Sequence, residues 1–176
     1  MKYSRNEILK LDEMLCVKIN SLSGDKVIDK ISYIISKLGD GSIYFATLTL
    51  FIIFTKKSGF LLARDYLTAG ALNIVLYKAV KGRVKRIRPF IQINGINKIM
   101  PPPDEFSFPS GHSGAAAVFF YCTYYNMPGE IAVISFIWML LIGFSRVYNG
   151  VHYPGDVLAG YFMGVTVAKT LITVYY

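Results

Sequence analysis

The chain has two histidines, and both lie in short polar segments next to apolar runs. His152 is followed four residues later by Asp156, a spacing that lets the two side chains meet at a helix start. Imidazole groups exchange protons or act as nucleophiles near neutral pH. Three cations occur in the same or similar segments: Lys81, Arg88 and Arg146. Because lysine and arginine bind phosphate oxygens, the combination indicates chemistry on an anionic, phosphate-like group.

The other histidine, His112, follows Ser110 and Gly111 at the start of an apolar run. A helix beginning there presents free backbone N–H groups and a partial positive charge, which favours phosphate binding. Gly111 lets an anion approach the backbone, and the Ser110 hydroxyl can donate to a phosphate oxygen. Taken alone, Ser110 is typical of a helix N-cap, and either histidine alone is typical of a structural residue.

Long apolar blocks predict the elements that position these residues. Hydrophobic residues make up 53% of the 176-residue chain and charged residues only 17%. Five blocks predict membrane spans: 42–54, 60–80, 110–126, 130–147 and 156–175. Only helices or closed barrels satisfy backbone groups in lipid. We therefore predict an all-α integral membrane helical bundle of five to six transmembrane helices.

Two amphipathic segments precede these spans. Apolar residues recur at three- and four-residue steps over 5–22, which predicts an N-terminal amphipathic helix. Residues 25–38 show a second apolar stripe, but a helix of that length reaches only about 21 Å. It could lie in the membrane interface or form a short sixth span. We expect residues 1–38 to form an N-terminal interfacial region and residues 39–176 a membrane-embedded core within one domain.

The net charge of +8 is concentrated in part between two apolar blocks, in the segment KAVKGRVKRIRP (78–89). This pattern favours the phosphates of membrane lipids as partners and disfavours nucleic acid. In the same segment, Arg83, Lys85 and Arg86 are expected to serve mainly as interfacial anchors. Cys16 and Cys122 have no metal or redox spacing and are expected to be buried as small apolar groups.

Alternating span directions bring the polar segments to one end of the bundle. The span 60–80 leads to Lys81 and Arg88, the next span starts at residues 109–112, and the span 130–147 returns to Arg146. His152 and Asp156 follow in the next turn. Segments far apart in sequence therefore converge on one face. The small residues of the last span (Ala159, Gly160, Gly164 and Ala168) predict close helix packing.

The three segments read KGRVKRIRP (81–89), PSGH (109–112) and SRVYNGVHYPGD (145–156). Together they resemble the motifs of the type 2 phosphatidic acid phosphatase superfamily, K-x6-R-P, P-S-G-H and S-R-x5-H-x3-D, in residue type, spacing and order. Motifs and intervening spans cover residues 60–175. The resemblance implies a membrane helical bundle and phosphate ester hydrolysis without a metal or other cofactor.

The resemblance also implies roles for the site residues. His152 would be the nucleophile that forms a phosphohistidine, with Asp156 holding its other ring nitrogen. His112 would protonate the leaving oxygen and then activate water. The implied phosphate-binding residues are Lys81, Arg88, Ser110, Gly111 and Arg146. Vanadate, which mimics the five-coordinate phosphoryl state, is expected to inhibit.

Several alternatives remain open on sequence grounds. Vanadium haloperoxidases share the motifs, but they are soluble and much larger. A non-catalytic membrane protein that binds anionic lipid would need neither the histidine pair nor Asp156. For an enzyme, the candidate substrates are undecaprenyl pyrophosphate, phosphatidylglycerol phosphate, phosphatidic acid and lipid A 1-phosphate.

Location and the long polar loop complete the expectations. The small size and the family's bacterial members indicate a multi-pass protein of the bacterial cytoplasmic (inner) membrane. Its site is expected to face the periplasm or the cell exterior. We interpret loop 90–108, which carries Asp104, Glu105 and Phe106 close to the PSGH motif, as a substrate-facing lid.

Overall fold

The computed structural model describes residues 5–176, and residues 1–4 of the predicted N-terminal region lie outside it. Helices account for all regular structure in the described range, in agreement with the predicted all-α class. In chain order they are α1 (Arg5–Asn20), α2 (Lys26–Leu38), α3 (Ser42–Thr55), α4 (Lys57–Val84), α5 (Pro89–Gln92), α6 (Gly111–Asn126), α7 (Gly129–Tyr148) and α8 (Pro154–Tyr175).

Helix α6 lies at the centre of the bundle, against α4, α7 and α8. Its closest neighbour is α8, because two glycines of α8 remove side chains at the crossing. A Cβ atom on Gly164 would lie 2.3 Å from the Gly114 carbonyl oxygen, and one on Gly160 would lie 2.5 Å from the Ser110 carbonyl oxygen. The predicted close packing of the last helix through small residues is therefore confirmed at these two positions.

Helices α3 and α4 form a tight hairpin at the end of the bundle opposite the polar segments. The helical conformation is interrupted at Lys56, whose φ is 47°. A Cβ atom on Gly59 would lie 2.2 Å from the Phe51 carbonyl oxygen, so the two helices touch through backbone there. Above the turn, an aromatic cluster joins α3 to α4 and α6, with the Tyr44 and Phe119 ring centroids 5.1 Å apart.

Three helical segments of the described chain are long and apolar enough to cross a membrane: residues 57–92, α7 and α8. Helices α2 and α3 pass the same test as a pair bent by 60°, which gives up to four spans by length and composition. Helix α6 has 16 residues and reaches about 24 Å, which is less than the hydrocarbon thickness. The structure is a membrane helical bundle, as expected, and the described residues contain three or four candidate spans where five to six were predicted.

Helix α2 turns its polar side toward the protein. Ser32 and Ser36 are buried, whereas Val27, Ile28 and Ile31 are more than half exposed. The Ser32 hydroxyl donates to Asn149 at 2.8 Å, at the end of α7. The amphipathic stripe predicted for 25–38 thus exists, and its apolar side faces outward, as suits a lipid environment.

Helix α1 packs across the ends of α7 and α8 that carry the polar segments. Cys16 and Cys122 are both fully buried and unpaired, which confirms the expectation for both. Ile8, Leu11 and Leu15 of the predicted stripe are exposed. The division into an N-terminal region 1–38 and a core 39–176 remains a proposal.

Candidate active site

The ends of four helices meet on one side of the bundle and bring the polar segments together. Helix α4 ends near Lys81, α6 begins at Gly111, α7 ends just beyond Arg146, and α8 begins just beyond His152. The site end of α6 is tied to α8 by the Ser110 N–H, which donates to the Asp156 carbonyl oxygen at 3.0 Å. The convergence expected from alternating helix directions is present.

His152 lies in the short turn between α7 and α8 and is 1% exposed. Arg88 Nη1 donates to the carbonyl oxygen of Val151 at 2.7 Å and lies 3.4 Å from His152 Nε2. On the other side, the Cys16 thiol of α1 contacts the His152 carbonyl oxygen at 3.8 Å. Arg88 therefore lies against the imidazole, and the first helix contacts the backbone of the same residue.

Asp156 lies beside the other ring nitrogen of His152. His152 Nδ1 is 3.5 Å from Asp156 Oδ2 and makes no hydrogen bond within the described part of the chain. Asp156 Oδ2 accepts instead from the Tyr153 N–H at 2.9 Å, at the start of α8. The carboxylate is thus held in place, and a small rotation of the imidazole ring would bring Nδ1 within hydrogen-bond distance of it.

The environment of His152 favours its neutral form. Burial lowers the pKa of His152 well below its ordinary value near 6.5, and the positive charges of Arg146 and Arg88 lower it further. A neutral imidazole has a free lone pair at neutral pH, which is the form that a nucleophile needs.

Two of the predicted phosphate-binding cations hold a carboxylate. Asp104 accepts from Lys81 Nζ at 2.8 and 2.9 Å, and from Arg88 Nη2 at 2.6 Å. Burial would raise the pKa of Asp104, but these hydrogen bonds and charges outweigh it and hold the pKa below its ordinary value. Asp104 belongs to the loop interpreted as a lid, and both Asp104 and its neighbour Glu105 are exposed.

Arg146 is completely buried behind the histidines. Its Nη1 donates to the Ser36 hydroxyl at 2.6 Å and contacts the Met100 sulfur at 3.2 Å. Its Nε and Nη2 groups have no hydrogen-bond partner among the described residues. Buried guanidinium N–H groups without a partner are costly, and an anion would satisfy them.

Ser110 and Gly111 occupy the helix start that the sequence predicts. Ser110 is the N-cap of α6, and its hydroxyl accepts from the Ser113 N–H at 3.4 Å and the Ser113 hydroxyl at 2.9 Å. A Cβ atom on Gly111 would lie 3.2 Å from the Tyr77 ring, so an aromatic side chain already lies against this glycine.

Two charged residues that sequence reasoning did not assign to the site, Asp40 and Arg86, contact its predicted members, and a third, Asp12, contacts Arg86. His112 Nε2 lies 2.5 Å from Oδ1 of Asp40, which belongs to the α2–α3 turn. Arg86 donates to Asp156 at 2.8 Å and to Asp12 at 2.7 Å. Arg86 therefore binds inside the protein, and the expectation that it is an interfacial anchor is wrong. Arg83 and Lys85 are exposed, as anchors would be.

A cavity of about 590 Å³ opens beside these groups. Its polar end is lined by the following residues: Lys81, Arg88, Asp104, Gly111, His112 and His152. From there it runs along α3 and α4, where Phe45, Leu67 and Ile74 are its apolar and largely exposed lining. Ser110, Arg146 and Asp156 are buried and do not line it. The cavity therefore suits a molecule with a charged end and an apolar body.

Within residues 5–176, no three histidine, cysteine, aspartate or glutamate side chains are grouped as metal ligands.

Comparison with known proteins agrees with this arrangement. The PAP2 superfamily profile matches residues 62–176. The chain is 32% identical over 132 residues to the undecaprenyl-diphosphatase of Sulfolobus acidocaldarius, which covers 74% of this chain and 62% of that protein. It is 34% identical over 101 residues to phosphatidylglycerophosphatase B of Bacillus subtilis, which covers 52% of this chain and 47% of that protein. The chain thus spans less than two thirds of the length of either relative.

Among solved structures, the fold is similar to the crystal structure of Aquifex aeolicus LpxE. The TM-score is 0.80 at 28% sequence identity, with 94% of this chain and 96% of that chain covered. The helical bundle is thus shared with a solved structure over nearly the whole of both chains. The chain belongs to the PAP2 superfamily.

Proposed function

We propose that the protein is an integral membrane lipid phosphatase that hydrolyses a phosphomonoester or pyrophosphate of a membrane lipid. The observation that carries this proposal is the surroundings of His152. A buried, neutral imidazole lies next to Arg88, and the charges of Arg146 and Lys81 act on it as well. Such a group can attack phosphorus while cations neutralise the phosphoryl oxygens.

In the proposed mechanism His152 Nε2 attacks phosphorus and forms a phosphohistidine. Asp156 stabilises the positive ring by closing the 3.5 Å gap to Nδ1. His112 gives a proton to the leaving oxygen as its bond to phosphorus breaks. In the second half His112 takes a proton from water, whose oxygen displaces His152 from phosphorus.

Five residues are proposed to hold the transferring phosphoryl group: Lys81, Arg88, Ser110, Gly111 and Arg146. Lys81 and Arg88 already bind the carboxylate of Asp104, an anion with two oxygens like part of a phosphate. Among the described residues, Nε and Nη2 of Arg146 have no hydrogen-bond partner, as noted above. Planar guanidinium groups bind phosphate oxygens in pairs, which favours arginine at these positions.

We further propose that the reaction needs no metal ion, because the three cations can neutralise the charge that a divalent ion neutralises in other phosphoryl-transfer enzymes. Activity in EDTA tests this part. Loss of activity in chelator that a divalent ion restores would contradict it. Orthovanadate is expected to inhibit by occupying the phosphoryl site.

The apolar length of the cavity along α3 and α4 supports a lipid as substrate. Undecaprenyl pyrophosphate and phosphatidylglycerol phosphate take first place among the four candidates, since the relatives' names refer to an undecaprenyl diphosphate and a phosphatidylglycerophosphate. Phosphatidic acid and lipid A 1-phosphate complete the set. We place the protein in the bacterial inner membrane with its site toward the periplasm or exterior, where an impermeant thiol reagent should label a cysteine introduced at Glu105.

The test is phosphate release by the purified protein in detergent with EDTA, against the four lipids. His152→Ala is the inactive control, and Arg83→Ala controls for the loss of a nearby exposed positive charge. We expect hydrolysis of at least one lipid, none by His152→Ala, and normal rates for Arg83→Ala. If the parent releases no phosphate while parent and His152→Ala bind anionic lipid equally, the protein is a non-catalytic lipid-binding protein and the proposal fails.

A further inference from the structure

The turn between α2 and α3 places a carboxylate directly against the second histidine. Asp40 Oδ1 lies 2.5 Å from His112 Nε2, across 72 residues of sequence. The other oxygen, Oδ2, lies 2.8 Å from Lys37 Nζ one helical turn earlier. Each histidine of the chain therefore has its own aspartate: His152 has Asp156, and His112 has Asp40.

The two glycines that flank Asp40 allow the turn to bring its carboxylate against His112. A Cβ atom on Gly39 would lie 3.2 Å from His112 Cδ2 and 2.9 Å from Ile142 Cδ1, so the backbone passes directly against the imidazole ring. Gly41 has a φ of 117°, a conformation that side chains other than hydrogen strongly disfavour. The sequence Gly39-Asp40-Gly41 thus allows a close approach and a sharp change of direction around one carboxylate.

The charges around His112 give this carboxylate a clear electrostatic effect. Burial opposes a positive charge on His112, as do Arg146 and, to a smaller extent, Lys81, whereas Asp40 favours one. An acid catalyst needs its protonated form before transfer, so a carboxylate on the ring offsets part of the effect of burial and of the phosphate-binding cations.

We propose that Asp40 is a positioning residue for His112. Its carboxylate accepts a hydrogen bond from the Nε2–H group, so Nδ1 is the ring atom that transfers protons. This rests on the proposed function, in which His112 is the acid and then the base. In the first step the Nδ1 proton moves to the leaving oxygen, which keeps the electron pair of the broken P–O bond. In the second step Nδ1 accepts a proton from water as the water oxygen bonds to phosphorus. The Nε2–H bond to Asp40 stays intact in both steps.

Leaving-group dependence separates this role from a structural one. An alkoxide must be protonated as it leaves, whereas a nitrophenolate leaves without a proton. The test therefore compares an alkyl phosphate with an alkyl-substituted 4-nitrophenyl phosphate of similar chain length, in single-turnover experiments that report only the first step. We expect Asp40→Asn to slow the first step on the alkyl phosphate about 10- to 100-fold, a typical effect of losing the partner that orients a catalytic group. On the nitrophenyl ester it should slow the step less than about threefold, because little acid catalysis is needed there.

Two variants serve as controls. Lys37→Met removes the other partner of Asp40 but leaves the His112 contact, and Glu130→Gln removes an exposed carboxylate at the far end of α7. Both are expected to keep parental rates on both substrates. Equal losses on both substrates in Asp40→Asn, or the same loss in Lys37→Met, would overturn the proposal.

A double-mutant cycle gives a second, independent check. In a His112→Ala background, Asp40→Asn should have no further effect on the alkyl phosphate, because Asp40 acts through His112. Full additivity of the two losses would overturn the positioning role. The two possible failures remain distinct. An active parent whose Asp40→Asn variant is unimpaired refutes only the role of Asp40, whereas an inactive parent refutes the proposed function and this inference together.

Discussion

Arg86 and Asp156 form an ion pair next to His152, with Arg86 Nη1 2.8 Å from Oδ1 of a fully buried carboxylate. The same guanidinium reaches Asp12 of α1 at 2.7 Å, and its Cζ atom lies 3.7 Å from the centre of the Tyr153 ring. Asp12 in turn accepts from the Gly155 N–H at 2.7 Å. The first helix is thus connected through one arginine to the aspartate beside His152.

Removing this arginine should impair catalysis without removing a group that touches the substrate. Arg86→Ala leaves Asp156 buried without its cation, so the carboxylate is expected to shift or take up a proton. We expect kcat to fall about 10- to 100-fold with little change in KM, as for other groups that orient a catalytic residue. Steady-state kinetics on the lipid that is hydrolysed fastest measures kcat and KM separately. Arg83→Ala, which removes an exposed arginine three residues earlier, is the control, and equal losses in both variants would contradict the role of the ion pair.

Asp104 should compete with anions for Lys81 and Arg88. In Asp104→Asn the two cations lose a charged partner, so orthovanadate is expected to inhibit at about a tenfold lower concentration, equivalent to about 1.4 kcal/mol. The measurement is the inhibition constant at fixed pH. Glu105→Gln removes the adjacent, exposed carboxylate and should leave the inhibition constant for orthovanadate unchanged. An unaltered constant in Asp104→Asn would show that the carboxylate does not compete.

The pH dependence should reflect the low pKa of His152. Because burial lowers the pKa of His152 in the unliganded protein, a nucleophilic His152 remains active as the pH falls through 6.5, and the acid limb of kcat/KM should have its midpoint below that value. The low pKa of His152 also makes the free energy of unfolding depend on pH. Below about pH 6.5 the unfolded chain takes up a proton that folded His152 does not, so the free energy of unfolding decreases as the pH falls. A pH–rate profile tests the first part, and an acid limb centred at or above 6.5 would contradict it.

The crossing of α6 and α8 should tolerate no added methyl group. Gly164→Ala would place a Cβ atom 2.3 Å from the Gly114 carbonyl oxygen and 2.9 Å from Ala117 Cβ, so the helices must separate. We expect a cost of about 1–3 kcal/mol, seen as a lower midpoint of thermal unfolding in detergent. Gly82→Ala lies in α4 with no atom within 4 Å of its Cβ, and should be neutral or stabilise by up to about 1 kcal/mol. Similar midpoints for the two variants would contradict the packing argument.

Sequence reasoning predicted those parts of the fold and site that follow from periodicity and direction. Apolar blocks predicted the helices, and alternating directions predicted that Lys81, His112 and His152 meet at one end. Helix α6, Gly111–Asn126, begins one residue after the predicted block 110–126 and ends at the same residue.

The charged partners of the site were not predictable in the same way. Asp12 and Arg86 pair across 74 residues, and Asp40 and His112 across 72, so only the packed fold determines these contacts. Asp12 has no distinguishing pattern around it. For Asp40, the flanking glycines were the one available signal, and a turn alone explained them equally well. The charge balance of the site therefore had to be read from the structure.

The cavity that is charged at one end and apolar along α3 and α4 has a consequence for how a lipid substrate is counted. Lipid that arrives from within the bilayer meets the protein in two dimensions, so the quantity that saturates the site is its fraction of the surrounding lipid. The bulk concentration of the lipid, in molecules per litre of solution, then does not determine how far the site is saturated. Adding inert detergent or lipid at constant substrate and protein should slow turnover, because it dilutes the surface on which the two meet.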